Sequence, residues 1–243
     1  MRVKAVISYN GTRYFGFQTQ RDENTLTIED VLEKILSSLF NQPIEVVGSG
    51  RTDKGVHALG QVIHFDISKD NLDVYKMLYA INRLLPDDIS FKSLEVVNDD
   101  FHARFSAKSK HYRYIVNTGI KDPIHKDLYY NLCRKLDVDL IKQGLELFKG
   151  KHNFINFCTN DEGPFEREIY DFNLKVEDGV FTFDIYGNGF RRYMVRMIIG
   201  TLIELGLKNI TLDDIKKLLD GQIEHRVRYK APSEGLYLVE VNY

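Results

Sequence analysis

The stretch REIYDFNLKVEDGVFTFDIYG, residues 167–187, decides the architecture. Two runs rich in β-branched and aromatic residues flank Asp178-Gly179. A pair of this kind readily takes the two left-handed positions of a tight hairpin turn. Antiparallel strands are therefore expected near 167–177 and 180–187. Working outward, the same strand period recurs at residues 2–9, where Val3, Ala5, Ile7 and Tyr9 fall on one side. Asn10-Gly11-Thr12 then reads as a turn. Residues 27–40 carry Ile28, Val31, Leu32, Ile35, Leu36 and Leu39 at helical spacing, and Thr27 with Asp30 resembles a capping box. Strands are expected at 44–47, 61–67 and 89–97, with a helix near 71–84 closed by Pro86. Leu72, Tyr75, Leu78, Tyr79 and Asn82 would share one face of that helix. The second half repeats the rhythm. A strand at 111–117 and a helix near 137–149 precede the hairpin. A helix over about 189–206, a shorter one near 211–220 and a strand over Leu236–Val241 follow it. Gly206 and Gly221 stop the two helices. This succession predicts an α+β fold: two ferredoxin-like halves sharing a largely antiparallel sheet, with helices on one side. The division falls near residue 105, giving halves of 1–105 and 106–243 with no linker-like stretch between them.

Composition narrows the function classes. The 243 residues are 43% hydrophobic and 28% charged, the mixture of a packed globular chain and not of a disordered one. No apolar run approaches membrane-spanning length, and the N-terminus is too charged for a signal peptide. Cys133 and Cys158 have no metal-ligand spacing, so a cytoplasmic protein with reduced thiols and no metal is expected. The net charge of −2 does not announce a nucleic-acid binder, but the distribution does more. Acids are absent from Phe101–Ile115, which holds Arg104, Lys108, Lys110 and Arg113. They are absent again from Gly189–Gly200, with Arg191, Arg192 and Arg196, and from His225–Pro232, with Arg226, Arg228 and Lys230. Basic stretches interleaved with aromatic residues suit a polyanion.

The candidate chemistry lies in GSGRTDKGVHALGQ, residues 48–61. Its glycine spacing is that of a P-loop, yet Val56-His57 stands where Lys and Ser/Thr are required. A plain hairpin tip accounts for Gly and Asp, though less well for Asp53 between Arg51 and Lys54. In extended backbone Arg51 and Asp53 point to one side. A neighbouring guanidinium holds a carboxyl below its usual value of about 3.9. Asp53 would then be ionised, as a nucleophile or base requires, and no second carboxylate is in view for acid–base pairing.

Gly50-Arg51-Thr52-Asp53-Lys54-Gly55-Val56-His57-Ala58 resembles the signature of the tRNA pseudouridine synthase A family. The likeness continues, collinear along the chain. It runs through Tyr9–Thr12 with Phe15–Gln18, Ile81-Asn82 with Leu84–Ile89, Phe101–Ala107 and Lys110–Tyr114. It ends in Gly187–Phe190 with Met194-Val195-Arg196, and Ala231-Pro232 with Gly235–Leu238. The resemblance implies an isomerase that breaks the N1–C1′ bond of a uridine, turns the base and rejoins it through C5, without cofactor or metal. It makes Asp53 the catalytic carboxylate, as nucleophile or as base at C2′, with Arg51 beside it and Tyr112 as the active-site tyrosine. Arg196 and Leu236 carry over to substrate binding, where Arg104, Lys110, Arg113 and Arg192 of the basic stretches join them. The implied partner is the anticodon stem-loop of tRNA, at uridines 38, 39 and 40, and the implied assembly is a cytoplasmic homodimer. The target base must leave its stack to be reached.

Three segments depart from the family pattern. Ile28-Glu29-Asp30 replaces Val-Gln-Gly, Arg191-Arg192 replace neutral or aromatic residues, and residues 158–166 are unusually acidic. A paralogue acting on another RNA and a non-catalytic RNA-binding module are therefore the rival readings. A metal-dependent nuclease would need an ordered ligand cluster that the sequence does not offer.

Overall fold

The computed structural model describes residues 1–20, 25–68, 71–159, 164–221 and 227–243. His225 and Arg226 of the third basic stretch, and residues 160–163 of the acidic segment, lie outside these. In chain order the elements are β1 (Arg2–Tyr9), α1 (Ile28–Phe40), β2 (Val47–Gly48), β3 (His57–Asp66), α2 (Val74–Leu84) and β4 (Ile89–Val97). Next come β5 (Ser109–Asn117), β6 (Tyr130–Asn131), α3 (Val138–Phe148), β7 (Gly150–Asn153), β8 (Glu166–Glu177) and β9 (Val180–Gly187). Last are α4 (Met194–Gly206), α5 (Leu212–Leu219) and β10 (Leu236–Asn242). The fold is α+β, and its strand pairing is mixed and mostly antiparallel; β3–β10 and β5–β6 are parallel. The chain divides into two compact units, residues 1–108 with 237–243, and residues 109–236.

In the first unit β1 runs antiparallel to β3 on one side and to β4 on the other. The far side of β3 is shared. Its first residues pair with Tyr237 and Leu238 of β10, and Ile63 and His64 pair with β2. The alternation read in residues 2–9 is realised: Val3, Ala5, Ile7 and Tyr9 are all buried. In α1, Phe40 meets Phe65 of β3 at 6.1 Å, and Ile28, Leu32 and Leu36 are almost fully buried. Each such residue contributes roughly 1.5–3 kcal/mol. The Thr27–Asp30 capping box forms as expected, with both reciprocal bonds present. On α2 Tyr75 and Tyr79 are 76% and 73% exposed, Leu78 and Asn82 are half-buried, and Ile81 is the buried residue. Val74, Leu78, Ile81 and Leu85 make an equally regular stripe that leaves both phenols in water.

In the second unit β5 pairs with β9, β9 with β8 and β8 with β7, all antiparallel. Asp178 and Gly179 both adopt positive φ, 49° and 80°, and close the β8–β9 hairpin as the sequence indicated. α4 is buried along nearly its whole length, and Gly144 of α3 lies so close to Leu205 and Leu202 that a Cβ would collide with them. The helix starts at Met194, five residues later than periodicity suggests, because Tyr193 takes left-handed backbone with φ 64°. Among the described residues no helix is long and apolar enough to cross a membrane.

Candidate active site

The loop from Ser49 to Val56 is fixed by backbone bonds on both sides of Asp53. Gln61 of β3 donates to the Gly50 carbonyl at 2.6 Å and accepts from the Gly50 N–H at 3.3 Å. Phe17 N–H donates to the Thr52 carbonyl at 3.0 Å, and Gly55 N–H to that of Tyr14 at 3.4 Å. Val56 N–H closes a turn on the Asp53 carbonyl at 3.1 Å. Thr52 is 7% exposed, and its hydroxyl meets the Tyr9 phenol at 2.8 Å. Burial pushes the Tyr9 phenol well up, so it stays protonated in any physiological buffer. With Thr52 turned inward, Arg51 is exposed and Asp53 half-buried. Lys54 reaches Phe15, its Nζ 3.8 Å from the ring centroid.

Residues 9–17 make this close fit possible. Gly11 lies against the Val56 carbonyl with no room for a Cβ, and its N–H donates to His57 Nδ1 at 3.1 Å. That bond places the His57 proton on Nε2. The ring stacks on Tyr237 at 4.7 Å. Gly16 has φ 104° and faces the Thr52 carbonyl at 2.6 Å from where a Cβ would stand. Tyr14 donates to Asp88 at 2.6 Å, and its phenol is pushed up to about 12, first by burial and then by that carboxylate.

Among the other candidates, Arg104 is exposed with its guanidinium 5.6 Å from the Phe105 ring centroid, and Phe105 itself is 77% exposed. These two stand with Arg51 and Asp53 in the first unit.

The second unit holds Lys110, Tyr112, Arg113, Arg192, Arg196 and Leu236. Tyr112, Tyr114 and Val116 share a buried face of β5, as their spacing indicated. Tyr112 meets Phe190 edge-on at 5.2 Å. Lys110 is half-buried on the same strand. Arg113 is engaged by Asp184, the residue opposite it on β9, through Nε at 2.9 Å and a second nitrogen at 3.2 Å. His111 Nε2 joins that carboxylate at 2.6 Å and stacks on Tyr186. Burial would raise the Asp184 carboxyl, but His111 and Arg113 outweigh it and hold it low. Arg196 is buried on α4 with Nε donating to the Ala231 carbonyl at 2.8 Å, and Arg192 is exposed. Leu236 is buried at the start of β10.

Sequence reasoning passed over Tyr9, His57 and Gln61, which position the loop, and Tyr193, which meets both Arg192 and Arg196. The signal for Tyr9 was its place on the buried side of β1; its partner Thr52 lies 43 residues away. Among the described residues no three His, Cys, Asp or Glu side chains are grouped to hold a metal ion.

A family model described as tRNA pseudouridine synthase matches residues 5–106 and 145–243. The chain is 39% identical to tRNA pseudouridine synthase A of Acetivibrio thermocellus, over 99% of each chain. It is 39% identical to that of Dictyoglomus thermophilum, over 99% of this chain and 98% of the relative. Identity to the Bacillus licheniformis protein of the same name is 40%, over 100% and 99%. The chain belongs to the tRNA pseudouridine synthase family. A solved chain in the crystal structure of a Cbf5–Nop10–Gar1 complex overlaps with a TM-score of 0.33 at 13% identity, covering 83% of this chain and 54% of that one, too distant to bear on fold or function.

Proposed function

We propose that the protein isomerises uridine to pseudouridine in the anticodon stem-loop of tRNA, at positions 38, 39 and 40, acting in the cytoplasm as a homodimer. What carries the reading is similarity to tRNA pseudouridine synthase A over essentially the full chain. The signature loop supports it: Asp53 sits half-buried on a turn whose backbone is bonded before and after it. Such a carboxylate is held in place before substrate arrives, so little ordering entropy remains to be lost at the chemical step. The reading carries two ferredoxin-like halves, 1–105 and 106–243, sharing a sheet with helices on one side.

Asp53 supplies the carboxylate that acts at the ribose, as nucleophile or as base at C2′. The N1–C1′ bond breaks, the uracil turns and C5 bonds to C1′; the C5 proton leaves and N1 is protonated. Arg51 orients the carboxylate and occupies the space of the extruded base. Tyr112 stacks on the uracil from its sheltered face of β5, and Arg196 and Leu236 line the nucleoside pocket. Arg104, Lys110, Arg113 and Arg192 contact RNA phosphates; Arg113 does so as a guanidinium already oriented by Asp184. No cofactor or metal has a task in this chemistry, since the product is an isomer of the substrate.

The test uses tRNA transcripts tritiated at uridine C5. The wild type releases tritium without cutting the chain, and Asp53→Asn lowers the rate by about 10⁴-fold or more. A wild type that binds the transcript and releases nothing would overturn the enzymatic reading. Release from other positions would move the substrate to another site or another RNA.

A further inference from the structure

Asp88 lies outside the signature loop, yet it braces the segment on which that loop rests. It directly precedes β4, whose first residue Ile89 pairs with Tyr9 at the end of β1. From this place it receives bonds from three residues of the turn that follows β1. The Asp88 carbonyl accepts from the Asn10 N–H at 2.9 Å. Its Oδ1 accepts from the Tyr14 phenol at 2.6 Å, and its Oδ2 from Arg13 Nε at 2.8 Å. The Arg13 side chain is 68% exposed, whereas Tyr14 is 1% exposed, so water competes far more for the first of these side-chain bonds than for the second. A sheltered phenol donating to a carboxylate makes a charge-assisted bond, shorter and stronger than a neutral one.

The backbone of Tyr14 reaches the loop. Its carbonyl receives the Gly55 N–H at 3.4 Å, and its own N–H closes on the Gly11 carbonyl at 3.0 Å. Gly11 in turn donates to His57 Nδ1 at 3.1 Å. Gly55 holds φ 76°, inside the turn that Val56 N–H closes on the Asp53 carbonyl. At 3.4 Å the Gly55 bond is long and weak by itself. Where the turn stands therefore depends on how firmly the Tyr14 carbonyl is held. One residue joins Asp88 to the loop, by its phenol at one end and its carbonyl at the other.

We propose that Asp88 is a positioning residue for the isomerisation: through the Tyr14 phenol it fixes the carbonyl that receives Gly55, and so fixes the place of the Asp53 carboxylate. The proposal rests on the reading above, in which Asp53 acts at the ribose. Asp88 does not itself touch the nucleoside. A displacement of the reacting carboxylate by about 1 Å is enough to slow the chemical step about a hundredfold, while contacts to RNA elsewhere stay in place. Tyr14 transmits this control. Arg13, in water on the other oxygen, does not.

The experiment measures single-turnover tritium release from a C5-labelled tRNA transcript at saturating enzyme. Beside it run the transcript Kd by fluorescence anisotropy, thermal unfolding, and amide hydrogen exchange at Gly55. Tyr14→Phe and Asp88→Ala are each expected to slow release about 10- to 100-fold, with Kd unchanged within about twofold. The double variant loses no more than either single one, because both cut the same link. Asp88→Asn keeps an oxygen for the phenol and recovers most of the rate lost in Asp88→Ala. Arg13→Gln stays within about twofold of the wild type. Exchange at Gly55 quickens about tenfold in Tyr14→Phe. A brace with a structural task alone would lower the unfolding temperature and leave the rate per folded molecule as it was. That result in Tyr14→Phe overturns the proposal, as does a loss confined to Kd, or a loss in Arg13→Gln equal to that in Asp88→Ala. Should Asp88→Ala fail to fold, Tyr14→Phe decides. A wild type that releases no tritium overturns the isomerase reading instead, and exchange at Gly55 still decides whether Asp88 holds the loop through Tyr14.

Discussion

Acidification should loosen the first unit through His64. This side chain is 4% exposed on β3, and its Nδ1 accepts from the Ala103 N–H at 3.2 Å. The ring packs at 4.9 Å from His102 and meets Phe101 edge-on at 6.2 Å. Burial lowers its pKa from 6.5 to about 4, helped by the charge of Arg2 and by His102, against a smaller pull from Asp66. The folded value lies below the unfolded one. The unfolded chain therefore binds the extra proton first, and stability falls as pH drops from 6.5 towards 4. Each pH unit inside that window is worth about 1.4 kcal/mol, so passing from pH 7 to pH 5 removes about 2 kcal/mol through this one group. His64→Gln keeps an acceptor for Ala103 and does not titrate, which isolates the contribution from that of other groups. Urea unfolding of both proteins is followed by far-UV circular dichroism at pH 5, 6 and 7 and constant ionic strength. The stability of the wild type relative to His64→Gln should decline by about 2 kcal/mol over that range. Parallel curves, within about 0.5 kcal/mol, would refute the reasoning.

Other perturbations report on the loop and on the second unit. Tyr9→Phe leaves the Thr52 hydroxyl without its phenol partner in a buried place; it should cost about 1–3 kcal/mol in thermal unfolding and lower kcat, since Asp53 is the next residue. Gly11→Ala drives a Cβ into the Val56 carbonyl; tritium release should be lost even in variants that still fold by circular dichroism. Asp184→Asn removes the charge that holds His111 and Arg113; stability at pH 7 should fall by about 3 kcal/mol, as for a broken partly buried ion pair. Because the Asp184 carboxyl is held low, its contribution in the wild type is present above its ordinary value of 3.8 and disappears as pH falls through the folded one, so the two proteins should converge in strong acid.

Local rules made much of this fold readable. An Asp-Gly pair gave the hairpin, Thr27 and Asp30 gave the start of α1, and alternation gave the buried side of β1. What escaped was decided by partners distant in sequence. β3 begins at His57 and not near residue 61, because Ala58 pairs with Tyr9 of β1 and Tyr237 and Leu238, about 180 residues later, pair with its other side. Helical spacing set which residues of α2 share a face, but that Tyr75 and Tyr79 lie in water is decided by the packing surface. The late start of α4 followed from a single left-handed tyrosine, a conformation that propensity assigns to glycine or asparagine. In the candidate site, Asp53 was conspicuous for its neighbours in the chain, whereas Tyr9, Gln61 and His57 act on its loop across the sheet and leave no local trace.

The first unit takes its last strand from residues 237–243. During synthesis, β3 is made about 180 residues before the β10 segment that pairs with His57 and Ala58. Until that segment emerges from the ribosome, the backbone leading out of the signature loop has an open edge, available to any extended peptide nearby. A chain cut short before Tyr237 should therefore be damaged at the signature loop, about 180 residues earlier. A synthetic peptide of residues 237–243, added in trans, is the natural reagent to repair it.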